Sequence, residues 1–257
     1  MDNGTQDTRY PVLGWLTLGY TAVKNTPSGP VTYPARASTF VFSSQSRERI
    51  EAVARTLGGK PQPGQRTGGW FVVTNARELR VLLPSLDDQS VRFEYQMRDQ
   101  AGALTRRCDG ATCTVPADPR SGTPAQTVPC ICQAEGERRC HRATRLFLIL
   151  PDLAEVPGIG VWLFSSRSES TYREVSSLLG MLRTIAGHFR VDPVRIPLVM
   201  SVREIQRRDQ SGALRKWPVV SLQTTLSMAQ LAALSRTPQD HSLPPGPLAP
   251  IAAGTGR

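Results

Sequence analysis

No run in the 257-residue sequence approaches the about 18 consecutive apolar residues that a membrane-spanning helix needs, which excludes a helical membrane protein. Neither GxxxxGK nor a strand-bound GxGxxG occurs, so ATP and dinucleotide chemistry have no support. His188 ends a helical stripe and His241 lies in a proline-rich tail, and neither has a nucleophile placed for it to act on as a general base. Asp87-Asp88 and the Asp152/Glu155 pair stand in or near loops, where turn formation accounts for them better than acid-base hydrolysis does. No catalytic residue is expected. Lysine is nearly absent: Lys24, Lys60 and Lys216 leave 28 arginines among 31 basic residues, set against 21 acids for a net charge of +10. Codon bias in a GC-rich genome is one account of that skew. An anionic or acidic partner is the other, because the guanidinium offers phosphate and carboxylate a rigid fork of donors. The first residues lack a basic leader, an apolar run and a small-residue cleavage site, so an intracellular protein is expected.

With 39% hydrophobic residues the chain can bury a core without cross-links. Glycine and proline punctuate residues 1–36, so this arm is expected to carry one strand near 13–20 and little else. STFVFSS at 38–44 reads as a strand. Ser46 then stands as the N-cap of a helix in which Ile50, Val53, Ala54 and Leu57 share one face and Gly58-Gly59 is the stop. WFVV at 70–73 and ELRVLLP, with Leu79, Val81 and Leu83 alternating, read as half-buried antiparallel strands. VRFEYQMR at 91–98 reads the same way, with Val91, Phe93, Tyr95 and Met97 on its apolar face. A turn at 99–102 leads through ALTRR into the cysteines. Beyond them, 144–151 and 160–166 read as buried strands, and 168–186 as a helix striped by Tyr172, Val175, Leu178, Leu179, Leu182 and Ile185. RIPLVMSVREI and LRKWPVVSLQT read as a closing strand pair, and SMAQLAALSR as a last short helix. Trp15, Trp70, Trp162 and Trp217 all fall in or beside β-prone runs and are expected to anchor the core rather than to stack on bases. The expected class is α+β, a mainly antiparallel sheet with two principal helices. The segments are an arm at 1–36, a first α+β half at 37–107, a cysteine insert at 108–140, a second half at 141–236 and a disordered Pro/Gly/Ala-rich tail at 237–257.

Five cysteines, an odd number, lie between 108 and 140 in a stretch without hydrophobic periodicity that is too long for an ordinary loop. In a reducing compartment this argues against disulfides and for a metal. Cys108 and Cys130 are separated by 21 residues, Cys130 and Cys132 by one, and Cys132 and Cys140 by seven. Four thiolates complete a tetrahedral zinc site, and such a closed site is structural, with no open position for chemistry. Residues 130 and 132, two apart, project to the same side of an extended chain and form the near pair, with Cys108 and Cys140 closing from the flanking strands. Metal binding energy of about 10 kcal/mol or more can then order a zinc-stapled insert that has no apolar core. The spacing is not a double CxxC, and free thiols or a redox role are the alternatives. Cys113 and His141 are the spare ligand candidates. Cys113 is the one that could replace an assigned ligand, since His141 beside Cys140 projects away. Arg106-Arg107 and Arg138-Arg139, next to the outer cysteines, read either as a phosphate-contacting patch or as a solvated rim that offsets the site's negative charge.

The order of motifs carries more than any single one. The chain runs LGYTAV, STFVFSS, EAVARTLGGKP, WFVVTNARELRVLLP, FEYQM, RRCDG, PCICQ, RRCHRATRLFLILPDL and GVWLFSS. That succession resembles the recombination directionality factors of the large serine integrases of actinobacterial phages, over about residues 12–225. The resemblance implies a protein that is not itself a recombinase. It binds the serine integrase on DNA, prevents integration between attP and attB, and promotes excision between attL and attR. It also implies contact near the integrase's zinc-bearing and coiled-coil region, approach to DNA mainly through the integrase complex, and residence in the cytoplasm of the host bacterium. The family cysteines map onto Cys108, Cys130, Cys132 and Cys140 with a structural Zn2+, and Cys113 is extra. Two other readings stand beside it: a zinc-containing nucleic-acid-binding protein that acts without integrase, and a nuclease built on twin α+β halves, for which no acid-base set is found.

Overall fold

A computed structural model describes residues 10–64, 69–99, 104–117, 122–134, 140–189, 191–208 and 212–236. Its first two strands, β1 (Val12–Thr26) and β2 (Gly29–Ser44), form a long hairpin closed by Pro27-Ser28. The base of this hairpin is core, with Leu16, Phe40 and Phe42 fully buried, whereas its outer half leaves Val23, Val31 and Tyr33 exposed. Both strands run well beyond the expected spans at 13–20 and 38–44. Pro30 and Pro34 read against a strand, yet β4 (Trp70–Val73) pairs only with Val41–Ser44, so the outer stretch of β2 is an edge where proline is tolerated.

The helix expected after it is α1 (Arg47–Leu57): the Ser46 hydroxyl accepts from the Arg49 N–H, and Gly58, at φ 76°, returns its N–H to the Ala54 carbonyl. There follow β3 (Gln62–Pro63), β5 (Glu78–Val81), β6 (Val91–Arg98), β7 (Leu104–Cys108), β8 (Thr112–Val115), β9 (Gln126–Pro129) and the single turn α2 (Ile131–Ala134). The chain continues through β10 (His141–Leu148), β11 (Val161–Ser166), α3 (Glu169–Phe189), β12 (Leu198–Arg208), β13 (Leu214–Thr224) and α4 (Met228–Arg236). Ten strands make one sheet in the order β3-β4-β2-β1-β11-β10-β6-β7-β8-β9, and β13-β12-β5 make a second. Of the described ladders only β1–β11 is parallel, with Val12 opposite Val161 and Leu16 opposite Phe164, so the class is α+β with a mostly antiparallel sheet. Strands from both sides of the cysteines thus share one sheet.

Leu82 and Ile149 exchange backbone hydrogen bonds of 2.9 Å and tie the second sheet to the first. Helix α1 packs on β2 and β4, and α3 on β10 and β13. One continuous core joins both sheets and helices through Phe42, Ile50, Val53, Leu146, Phe164, Leu179 and Val220. Burial of each such side chain contributes about 1.5–3 kcal/mol. Phe42 meets Trp162 edge-on at 5.0 Å. The tail at 237–257 and the Arg138-Arg139 pair lie outside the described residues.

Candidate metal centre

The far edge of the large sheet, β6 to β9, delivers the cysteines. RRCDGATC folds as a hairpin whose tip is Asp109-Gly110-Ala111, with Gly110 at φ 111°. The Asp109 carboxylate accepts from the Thr112 N–H at 2.7 Å and the Ala111 N–H at 2.8 Å, and these bonds hold it below the ordinary carboxylate range. The turn sets Cys108 directly opposite Cys113, both buried. The Gly110 N–H donates to Cys108 Sγ at 3.1 Å, a backbone bond suited to supporting a thiolate ligand. Strand β9 lies along β8, and the Cys130 N–H bonds to the Ala111 carbonyl at 2.9 Å, which brings the chain back to the hairpin tip. Cys130 then leads into α2. Residues 130 and 132 are therefore not joined by extended chain, as expected, but by the start of a helical turn. Cys140 directly precedes β10, and Cys132 Sγ and Cys140 Sγ stand 3.7 Å apart.

All five cysteines are free thiols. A disulfide needs about 2.05 Å between sulfurs, whereas two ligands of a tetrahedral zinc with Zn–S bonds of about 2.3 Å stand about 3.8 Å apart. The Cys132–Cys140 separation matches the second. Cys108 hydrogen-bonds to Cys130 and Cys132 to Cys140, while Cys140 also senses Cys108 and Cys130. The four expected ligands are thus brought into one neighbourhood. Cys113 joins them against Cys130 and Cys132, but the Arg106 side chain bonds to it. Among the described residues no three or more His, Cys, Asp or Glu side chains close on a common metal position, so the sulfurs are gathered rather than converged. The donor chemistry, thiol sulfur throughout, fits zinc. Burial, then the Cys130 thiol, pushes Cys108 up to about 11, and burial with Cys132 pushes Cys140 up to about 12. Without a cation both are protonated at neutral pH. His141 is exposed. Cys113, a spare candidate by spacing, is the cross-strand neighbour of Cys108, a pairing the spacing alone did not give. Asp109-Gly110, a hairpin signal, could have placed it.

Strand β6 also departs from expectation. Glu94 and Gln96 are buried, at 8% and 4% exposed, while Phe93, Tyr95 and Met97 of the apolar face are only half-buried. Glu94 lies between Arg107 of β7 at 3.2 Å and Arg145 of β10 at 3.7 Å, and Gln96 Nε2 donates to it at 2.6 Å. Pairing on both sides lets a carboxylate occupy an interior position that alternation alone assigns to solvent. It also turns Arg107, the neighbour of Cys108, toward the sheet. Glu94→Ala leaves two partly buried guanidiniums facing each other and is expected to cost about 3–5 kcal/mol in urea unfolding; a loss under about 1 kcal/mol contradicts this reading of β6.

The remaining candidates have structural partners. Asp152 pairs with Arg80, and Asp87 accepts from the backbone of Gln89 and Ser90. Trp162 is core, and Trp70 lies under the Arg47 guanidinium at 4.7 Å. Arg142 stacks on Tyr172 at 4.3 Å and donates to Tyr95 Oη and Glu169 at 3.1 and 3.0 Å, bracing β10 and α3 beside the cysteines.

Against known families, a model described as Gp3-like, recombination directionality factor-like, matches residues 13–225. The chain belongs to this family. The Gp3-like match opens in β1 and closes just after β13, so it takes in both sheets and the whole cysteine cluster. The family expected from the order of motifs is the one found. No curated protein and no solved structure matches the chain. No helix among the described residues is long and apolar enough to cross a membrane.

Proposed function

We propose that this Gp3-like protein binds a large serine integrase and turns it from attP × attB integration to attL × attR excision, catalysing no step itself. The family match over residues 13–225 is the observation that carries this reading. A non-catalytic binder can redirect an enzyme only by favouring one of its arrangements over another. The integrase's coiled-coil arms supply the alternatives, and the factor acts through different affinities for them. A difference of about 3 kcal/mol changes their ratio by more than a hundredfold. The contact lies near the integrase's zinc-bearing and coiled-coil region, within the host cytoplasm, and DNA is reached mainly through the integrase complex.

In this reading Cys108, Cys130, Cys132 and Cys140 hold a structural Zn2+. The bound ion supplies folding free energy to a segment with little apolar core and no open coordination position for a reaction. The Gly110 N–H steadies the Cys108 sulfur, and Cys113 with Arg106 stays outside the set. A gel shift with purified integrase on attL and attR tests the partnership: the protein should retard the integrase–DNA complexes further. Failure to do so, together with sequence-specific binding of the protein alone, would favour a nucleic-acid-binding protein that acts without integrase.

A further inference from the structure

Four of the five thiols suffice for the proposed zinc site, and Cys113 is left over. It lies in β8, 1% exposed, directly opposite Cys108 of β7. At the hairpin tip the Asp109 N–H donates to the Thr112 carbonyl at 3.2 Å, which makes 109 and 112 a hydrogen-bonded pair. Such pairs alternate along an antiparallel ladder, so the next one, Cys108 with Cys113, is non-hydrogen-bonded. Cα atoms in that kind of pair stand about 4.5 Å apart, and the two side chains project to the same face of the sheet. A disulfide needs Cα atoms about 4.4–6.8 Å apart, so the backbone meets the requirement at its near end. Among the described ladders no other cysteine faces a cysteine: Cys130 precedes α2, Cys132 lies in it and Cys140 precedes β10. In the reduced chain the Cys108 thiol is turned to Cys130, and a change of side-chain rotamer carries it to Cys113.

We propose that Cys108 and Cys113 close a reversible cross-strand disulfide under oxidising conditions, and that this bond competes with zinc for Cys108. The oxidant is hydrogen peroxide. One thiol sulfur attacks a peroxide oxygen, the O–O bond breaks, and the departing hydroxyl takes the thiol proton and leaves as water. The second sulfur then displaces the hydroxyl now bound to the first, which leaves as water with the second thiol proton. The two thiols together lose two electrons, and the peroxide is reduced to two waters. The ring encloses only residues 109–112, so it constrains the unfolded chain little. A Cα spacing at the near limit also strains the bond and eases its reduction. Both properties belong to labile, regulatory disulfides rather than to structural staples. Oxidation leaves Cys130, Cys132 and Cys140, one ligand short of a closed tetrahedron, whereas Cys108 bound to the ion is held from Cys113. The competition rests on the ligand assignment of the proposed function, and the disulfide itself does not.

The test uses the full chain, stripped of metal with a chelator and treated with hydrogen peroxide; remaining thiols are then alkylated and tryptic peptides are measured by mass spectrometry. The sequence sorts the pairs, because Cys108 and Cys113 share the peptide 108–120, Cys130 and Cys132 share 121–138, and Cys140 lies in 140–142. The expected product is a peptide 108–120 that has lost two hydrogens, takes no alkyl group, and regains both alkylation sites after dithiothreitol. Any other main linkage, above all 121–138 to 140–142 through Cys132 and Cys140, overturns the proposal, as does a chain whose thiols all stay alkylatable. In a second arm the zinc-loaded chain meets peroxide, and a coloured chelator reports release of the ion. Cys113→Ala, which puts no hydroxyl in place of the buried thiol, should keep the parent's melting temperature and release zinc about threefold or more slowly than the parent. Equal release by the two overturns the competition. A parent that binds no zinc would count against the ligand assignment and leave the disulfide result standing.

Discussion

Cys132→Ser is expected to abolish zinc binding, taking the metal content from about one ion per chain to near none, whereas Cys113→Ser keeps it. The effect should be local. Cys108, Cys113 and Cys130 form a small cluster with Tyr95, Val128 and Cys132, separate from the main core. In the proposed site, losing the ion should loosen β7, β8, β9 and α2 without unfolding them, while leaving Phe42, Trp162 and their neighbours packed. Hydrogen exchange should therefore accelerate across residues 104–134 and remain slow in β1, β2, β10 and β11. Retention of zinc by the Cys132 variant, or release from the Cys113 variant, contradicts the ligand assignment. A metal-free parent with full protection at 104–134 contradicts the need for an ion.

The same thiols fix a pH dependence. In metal-free protein Cys108 and Cys140 hold their protons more tightly than unfolded thiols, which titrate near 9.0. The folded state then binds more protons than the unfolded one across the interval from 9 toward 11 and 12. The stabilisation is complete below that interval and is lost as pH rises through it. Zinc-loaded protein has already surrendered these protons and should not show the loss. Urea midpoints at about pH 7.5 and 10, with and without chelator, separate the two behaviours.

Gly14→Ala is expected to be strongly damaging to the fold. A Cβ at this position would overlap the Ser43 carbonyl oxygen and stand 2.5 Å from Trp162 Cζ3. Neither can yield cheaply. Ser43 belongs to the β1–β2 ladder opposite Trp15, and Trp162 is buried against Phe42. Overpacking of this kind typically costs about 1–3 kcal/mol, and the upper end of that range is expected here because backbone must move. Gly180→Ala on α3 is the counter-case, since nothing lies within 4 Å of its added methyl. It should gain about 0.5–1 kcal/mol from helix propensity. Opposite signs in chemical denaturation support the packing described for β1 against β11, and equal signs contradict it.

Much of the local structure was legible because its causes are local. Ser46, the Ile50/Val53/Ala54/Leu57 face and Gly58 belong to one helix and its caps, and Leu79 and Val81 alternate within β5 with Leu83 just beyond it. The strand order was not legible, because β1 beside β11 and β10 beside β6 are pairings of residues far apart in sequence. β6 misled for a related reason: Glu94 reads as a solvent position until Arg107 and Arg145 arrive from two other strands. At the cysteines, composition indicated that thiols would gather. The route by which they do so, a hairpin and then a helical turn, depended on Asp109-Gly110 and on the Cys130 N–H finding the Ala111 carbonyl.

The central claim, control of recombination direction, is tested most directly by in vitro recombination with purified large serine integrase on attP × attB and on attL × attR, each with and without this protein. The protein is expected to suppress the first reaction and switch on the second, and by itself to cleave neither substrate. Unchanged products from both pairs, across a titration that demonstrably saturates integrase binding, would contradict the claim.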